Sequence, residues 1–139
     1  MTALTFLCRA HRLELQVQSK LLQIDRLRSL ATQVTSFSGC GPVSHTRDVT
    51  AMQNTVAKII EEEEALNAKV DQLVDAKREI REVIDRVENI TLRLILEKRY
   101  LLFQPWEEIA IDLDISSRWA KDRHRAALEA VDKILEERA

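Results

Sequence analysis

Apolar residues first recur at Ala10, Leu13, Val17, Ile24, Leu27, Ala31 and Val34, in steps of three and four or their sum. Leu21 and Leu30 widen the stripe, which describes one face of a long helix. The pattern stops at residues 36–44 (Ser-Phe-Ser-Gly-Cys-Gly-Pro-Val-Ser), where Gly39, Gly41 and Pro42 predict a sharp break. Asp48, as N-cap or first-turn acid, opens the next helix. From there the spacing becomes stricter: Val49, Met52, Val56, Ile59, Glu63, Leu66, Val70, Leu73, Lys77, Ile80, Ile84 and Val87 alternate steps of three and four without a slip. A repeat of 3.5 residues sustained over more than five heptads is a coiled-coil seam, in which polar Glu63 and Lys77 sacrifice stability for register or strand number. The first helix, reversed by a short loop, is its nearest partner. The helical rise makes the second seam roughly 60 Å long and the first nearer 40 Å, so part of the longer seam is left for another chain.

The last fifty residues change character. Leu92, Leu94, Ile95, Leu96, Tyr100, Leu101 and Leu102 form a denser cluster that Phe103-Gln-Pro105 interrupts. Pro105 at a first helical position, with Glu107 and Glu108 facing the positive dipole end, starts a short helix. Asp112-Leu-Asp-Ile-Ser116 is a tight turn, and Ser116 caps a final helix that runs from Ser117 to the C-terminus. Whether Asn89-Ile-Thr91 breaks the second long helix or lets it run into this region stays open at this level.

Composition narrows the fold class. The 139 residues include only 2 Gly and 2 Pro, 32% are charged and 4% aromatic, which excludes a many-stranded sandwich or barrel and predicts an all-α chain with an aliphatic core. The expected organisation is a long antiparallel helical hairpin over residues 1–90 and a small head over 91–139. The net charge of -2 conceals an uneven distribution. Residues 1–47 carry six Lys and Arg against two acids, residues 48–90 six against eleven, and residues 91–139 nine against ten. Arg9, Arg12, Lys20, Arg26 and Arg28 of the first helix are open to contacts with a nucleic-acid backbone, but pairing with the acidic stretch Glu61–Glu64 of the second is the expected role. No run approaches the ~20 apolar residues of a membrane span, and the apolar start before Arg9 is too short for a secretory signal. Two cysteines agree with a reducing cytoplasm.

A short helix, a tight turn and a longer helix carrying Arg118, Lys121, Arg123, His124 and Arg125 form a helix-turn-helix pattern. Trp106, Ile109, Ala110 and Leu113 give its first helix a buried face, Ile115 anchors the turn, and Ala120, Ala127, Leu128 and Val131 face inward on the second. Ser117, Arg118, Lys121 and Asp122 then project outward, where major-groove base edges would lie. The runs Leu-Ile-Leu-Glu-Lys-Arg-Tyr-Leu (94–101), Trp-Glu-Glu-Ile-Ala (106–110), Leu-Asp-Ile-Ser (113–116) and His-Arg-Ala-Ala-Leu (124–128) resemble sigma factor region four. More narrowly, the chain is similar to phage late-gene transcriptional regulators of the ArpU and RinA type. Those proteins also place a long-helix pair with a Ser/Gly/Pro-rich break before a sigma-like head. The resemblance implies base reading by Ser117, Arg118, Lys121 and Asp122 and phosphate contact by Ser116 and Arg125. It puts Trp119 on the outer side of the final helix. It implies double-stranded DNA and RNA polymerase as partners, and a homodimer through the coiled coil would bring a second head to the DNA. Asp114 stands at the turn position that the family gives to Gly, and inner-face positions usually β-branched hold Ala120 and Arg123.

Other readings carry less. Cys8-x-x-His11 and Cys40-x4-His45 suggest zinc, but Cys8 and Cys40 lie at opposite ends of a helix roughly 40 Å long, so no metal or cofactor is expected. Tyr100 and Trp106 read as core, His124 as a packed or capping residue, and Trp119 as either a DNA contact or a filler beside Ala120. No Gly-rich phosphate loop, nucleophile with a base, or H-E-x-x-H occurs, so neither enzymatic activity nor a small-molecule substrate is expected. Two alternatives share the same elements: a DNA-packaging protein of the terminase small-subunit kind, and a coiled-coil adaptor whose head binds protein.

Overall fold

The structure, a computed structural model, describes residues 2–37 and 45–138. It is all-helical, and no strand occurs among the described residues. Helix α1 spans Ala3–Phe37, α2 His45–Asp85, α3 Ile90–Leu96, α4 Trp106–Leu113 and α5 Ser117–Arg138, and α3 continues into a π-helical turn at Glu97–Leu101. The Gly/Pro break at 38–44, with Cys40, lies outside the described residues, as do the side chains of His45 and Asp48. Helix α2 begins three residues ahead of Asp48.

Asn89 decides the end of the second long helix. Its Oδ1 accepts from the N–H groups of Thr91 at 3.0 Å and Leu92 at 3.2 Å, an N-cap that starts α3 anew. Before it, Arg86 and Val87 close α2 with bonds to Val83 and Ile84, three residues back. The Arg93 guanidinium then donates through Nε (3.0 Å) and Nη2 (2.6 Å) to the Val87 carbonyl, holding the bend. Val87 therefore ends the apolar repeat from outside α2.

The chain forms two compact units, one of Glu14–Asp71 and one of the described residues up to Leu13 together with those from Gln72 onward. The expected boundary between residues 90 and 91 falls inside the second of these. In that unit Phe6, Leu7 and Ala10 of α1 are buried together with Leu73, Ala76, Ile80, Val83 and Ile84 of α2. Ile95, Leu96 and Tyr100 follow, then Ile109 and Ala110 of α4, then Ala120, Ala127, Val131 and Ile134 of α5. The first residues thus belong to this core, and the apolar repeat of α1 starts at Ala3 rather than Ala10. A hydrogen bond secures them: the Ala3 N–H, one of the free donors at a helix start, donates to Asp132 Oδ1 of α5 at 2.7 Å.

Glu14–Asp71 buries fewer side chains. Among its described side chains Val17 and Ile24 are the buried apolar ones, whereas Leu21 and Leu30, expected to widen the stripe, are 46% and 50% exposed. Met52 and Val56 of the expected seam are also exposed. Along α2 the residues turned inward include Glu62, Lys69, Ala76 and Val83, one position before the Glu63, Val70, Lys77 and Ile84 of the sequence repeat. Both sets are buried or half-buried, so the inner face is shared between them. Opposite charges make the expected connection here: Lys20 Nζ lies 2.8 Å from Glu62 and Arg28 pairs with Glu63. In the other unit Arg9 meets Glu79 at 3.1 Å. These partly exposed pairs are worth about 0–1 kcal/mol each, so they select partners more than they hold the fold.

Leu7 is fully buried although nearly the whole chain separates it from α5. Leu7→Ala is expected to cost about 2–5 kcal/mol in urea denaturation. Leu22→Ala, at a site 71% exposed, should stay within about 0.5 kcal/mol of the parent.

Candidate nucleic-acid interface

The connection between α4 and α5 is set by three consecutive residues. Asp114 takes the left-handed conformation (φ 55°, ψ 48°), which places Asp at the position where the resemblance expected Gly. Its N–H donates to the Ile111 carbonyl at 3.2 Å and that of Ile115 to the Ala110 carbonyl at 3.0 Å, the paired bonds of a Schellman ending. Ile115 is half-buried. Ser116 Oγ accepts from the Trp119 N–H at 3.1 Å, and its carbonyl accepts from Ala120 at 3.0 Å, so it is the N-cap of α5. The three residues end one helix and start the next with every step hydrogen-bonded.

Helix α4 buries Ile109 and Ala110, with Trp106 and Leu113 half-buried. Pro105 is extended (φ -69°, ψ 157°) and stands just before the helix, with Glu107 and Glu108 in the first turn. Lys98 of the π-helical turn reaches Asp112 at 3.2 Å. Helix α5 buries Ala120, Ala127, Val131 and Ile134, and Leu128 is half-buried.

The opposite face of α5 is open. Arg118, Trp119, Lys121, Asp122, Arg123 and Arg125 are exposed and Ser117 is half-exposed. Trp119 is 41% exposed. Arg123, which the resemblance put on the inner face, points outward instead, its guanidinium 4.8 Å from the centre of the Trp119 ring. A spacing of four residues places the two one above the other on the helix surface, and that spacing was the available signal. Among the described residues no carboxylate forms an ion pair with Arg118, Lys121, Arg123 or Arg125. Ser116, Ser117, Arg118, Lys121, Asp122 and Arg125 thus share one solvent-facing helical start with Trp119, although the Ser116 hydroxyl oxygen already serves the cap.

Behind this face lies a polar contact inside the core. Tyr100 Oη and His124 Nε2 are 2.5 Å apart, and the His124 ring meets Trp106 edge-on at 4.7 Å. Burial pulls the imidazole down to about 4, with the nearby Arg99 cation adding to the fall. Burial likewise pushes the Tyr100 phenol up to about 12; Cys8 adds to that rise and Arg99 opposes it. At neutral pH both groups are uncharged, and the contact is a hydrogen bond between neutral partners. His124 is therefore a packed residue that ties α5 to the π-helical turn. Arg99 lies over the Trp106 ring at 5.0 Å and donates from Nη1 to the Gln104 carbonyl at 3.0 Å.

No group of three or more potential metal ligands occurs among the described residues, and none of their helices is long and apolar enough to cross a membrane. Comparison with protein-family models, with curated proteins and with solved structures finds no match.

Two outcomes follow from this geometry. His124 binds a proton more readily unfolded (6.5) than folded (about 4), so its contribution to stability is present above pH 6.5 and is lost as the pH falls toward 4. His124→Gln should flatten the pH dependence of the urea midpoint between 6.5 and about 5, above the range where carboxylates dominate. At the turn, Asp114→Gly relieves the left-handed strain and should leave stability equal or raise it by up to about 1 kcal/mol, whereas Asp114→Val should lower it by more than that.

Proposed function

We propose that this protein is a phage-type, sigma-like transcriptional regulator that binds double-stranded promoter DNA through α4, its turn and α5 acting as a helix-turn-helix. The observation that carries the reading is the exposed start of α5, where four cations between residues 118 and 125 face solvent against the single acid Asp122. They stand on a helix whose entry is fixed by Asp114 and Ser116. In this reading α5 enters the major groove, Arg118, Lys121, Ser117 and Asp122 reach base edges, and Ser116 and Arg125 position the helix on phosphates. Trp119, braced by Arg123, offers an apolar face to thymine methyl groups or sugar.

One such surface neutralises about three or four phosphates, which gives modest affinity on its own. Two copies joined through a hairpin of α1 and α2 would raise it by making the second contact intramolecular. RNA polymerase, the partner implied by the likeness to sigma factor region four, would supply the remaining grip. Such a protein works in the host cytoplasm.

Fluorescence anisotropy on late-promoter duplexes tests the reading. Arg118→Ala with Lys121→Ala should weaken binding about tenfold or more and lower the slope of log K against log salt by about 1 to 2. Unchanged affinity and slope would remove α5 as the reading element. Light scattering separates a monomer or dimer from a ring of about eight or more subunits, the assembly a packaging role requires.

A further inference from the structure

A cavity of about 230 Å³ opens beside the Tyr100–His124 contact. Cys8 and His11 of α1 line it together with Arg99, Tyr100 and Phe103. Three of these five side chains are rings: the His11 and Phe103 rings stand 5.2 Å apart and tilted by 55°, and the Tyr100 ring adds another wall. None of the five is acidic. Arg99 brings a permanent cation with five N–H donors, of which the structure uses one, toward the Gln104 carbonyl. Lys77 adds a second positive charge, its Nζ 5.0 Å from the Phe103 ring centre. Cys8 and His11 are too few to hold a metal ion.

The wall formed by residues 97–104 stores conformational strain. Glu97–Leu101 is a π-helical turn, a feature that recurs at functional sites. Phe103 is held at φ 56°, a left-handed conformation costly for an aromatic residue. Gln104 Oε1 is buried without a hydrogen-bond partner among the described residues. A segment carrying three such features is poised to rearrange when its cavity fills. Tyr100 belongs to this wall and is bonded directly to His124 of α5.

We propose that this cavity is a binding site for a small single-ring aromatic carboxylate, whose ring packs among His11, Tyr100 and Phe103 and whose carboxylate pairs with Arg99, and that its occupancy reaches α5 through Tyr100 and His124. Flat rings select a planar ligand, and the unopposed guanidinium selects its anion. The regulatory meaning of the second half rests on the reading of α5 as the DNA-contacting helix; the binding half does not.

The probe is benzoate, titrated into the full chain with aromatic and backbone NMR spectra recorded at each step. Saturable shifts are expected at Cys8, His11, Arg99, Tyr100 and Phe103, together with His124, at a Kd of about 1 mM or tighter, as suits so small a molecule. Benzylamine, of the same shape and opposite charge, should leave these signals in place. Cys8→Met, which fills the cavity without touching Arg99, and Arg99→Gln should each weaken benzoate binding at least about tenfold, and the first stands if the second disturbs folding. Tyr100→Phe should keep the Phe103 shift and abolish the one at His124. Absence of shifts at about 10 mM benzoate, equal binding of benzylamine, or full binding by Cys8→Met would overturn the site. A His124 shift that survives in Tyr100→Phe would overturn the route to α5. All of these readouts are independent of DNA, so a failure to bind promoter duplex would remove the function proposed above and leave this test standing.

Discussion

The fold rests on a core to which the beginning and the end of the chain contribute together. Phe6, Leu7 and Ala10 are buried in the same unit as Val131 and Ile134, and the Ala3 N–H is satisfied by Asp132. Burial of such side chains contributes about 1.5–3 kcal/mol each, far more than any of the surface ion pairs. The small helices α3 and α4 are too short to be stable as isolated segments in water. They persist because Ile95, Leu96, Ile109 and Ala110 join this core. The position of α5, and with it the exposed cationic face, is set by its packing against α3 and α4, and the Ala3–Asp132 hydrogen bond ties the N-terminal residues to it.

Around that core, polarity is used sparingly and with definite purpose. Asn89 and Ser116 satisfy the free N–H groups of new helices, Arg93 holds the bend after α2, and Tyr100 meets His124 where two ring systems pack. Each removes the cost of an unpaired buried or terminal group. The outward start of α5 is built differently: its cations have no carboxylate partner within the described residues. Charge left unpaired on a rigid surface is available for an external anion, which is the physical basis for proposing a nucleic-acid contact there.

Much of this was legible in the sequence, and the misses share one cause. Low Gly and Pro content determined an all-helical chain, Phe103-Gln-Pro105 and the Asp114–Ser116 turn marked two helix boundaries, and the polar outer face of α5 followed from the inward spacing of Ala120, Ala127 and Val131. These signals are local, because backbone propensity, capping and helical period act within a few residues. The sequence could not assign Leu21, Leu30, Met52 and Val56, which fit an apolar period and are exposed all the same. A period shows which residues share a face and leaves open how much of that face a partner covers. Arg123 was misplaced for a related reason, since a position inferred from resemblance carries no guarantee about a side chain of different size and charge.

What the amino-acid order determined by itself was therefore the all-helical class, the Ser116 cap and the amphipathic face of α5, all properties of neighbours along the chain. Only the tertiary structure decided that the first ten residues belong to the core of the last seventy. It also decided that Cys8, His11, Arg99, Tyr100 and Phe103 surround one cavity. Those facts join residues some ninety positions apart, and their energy comes from shared burial, which no pattern of spacing records.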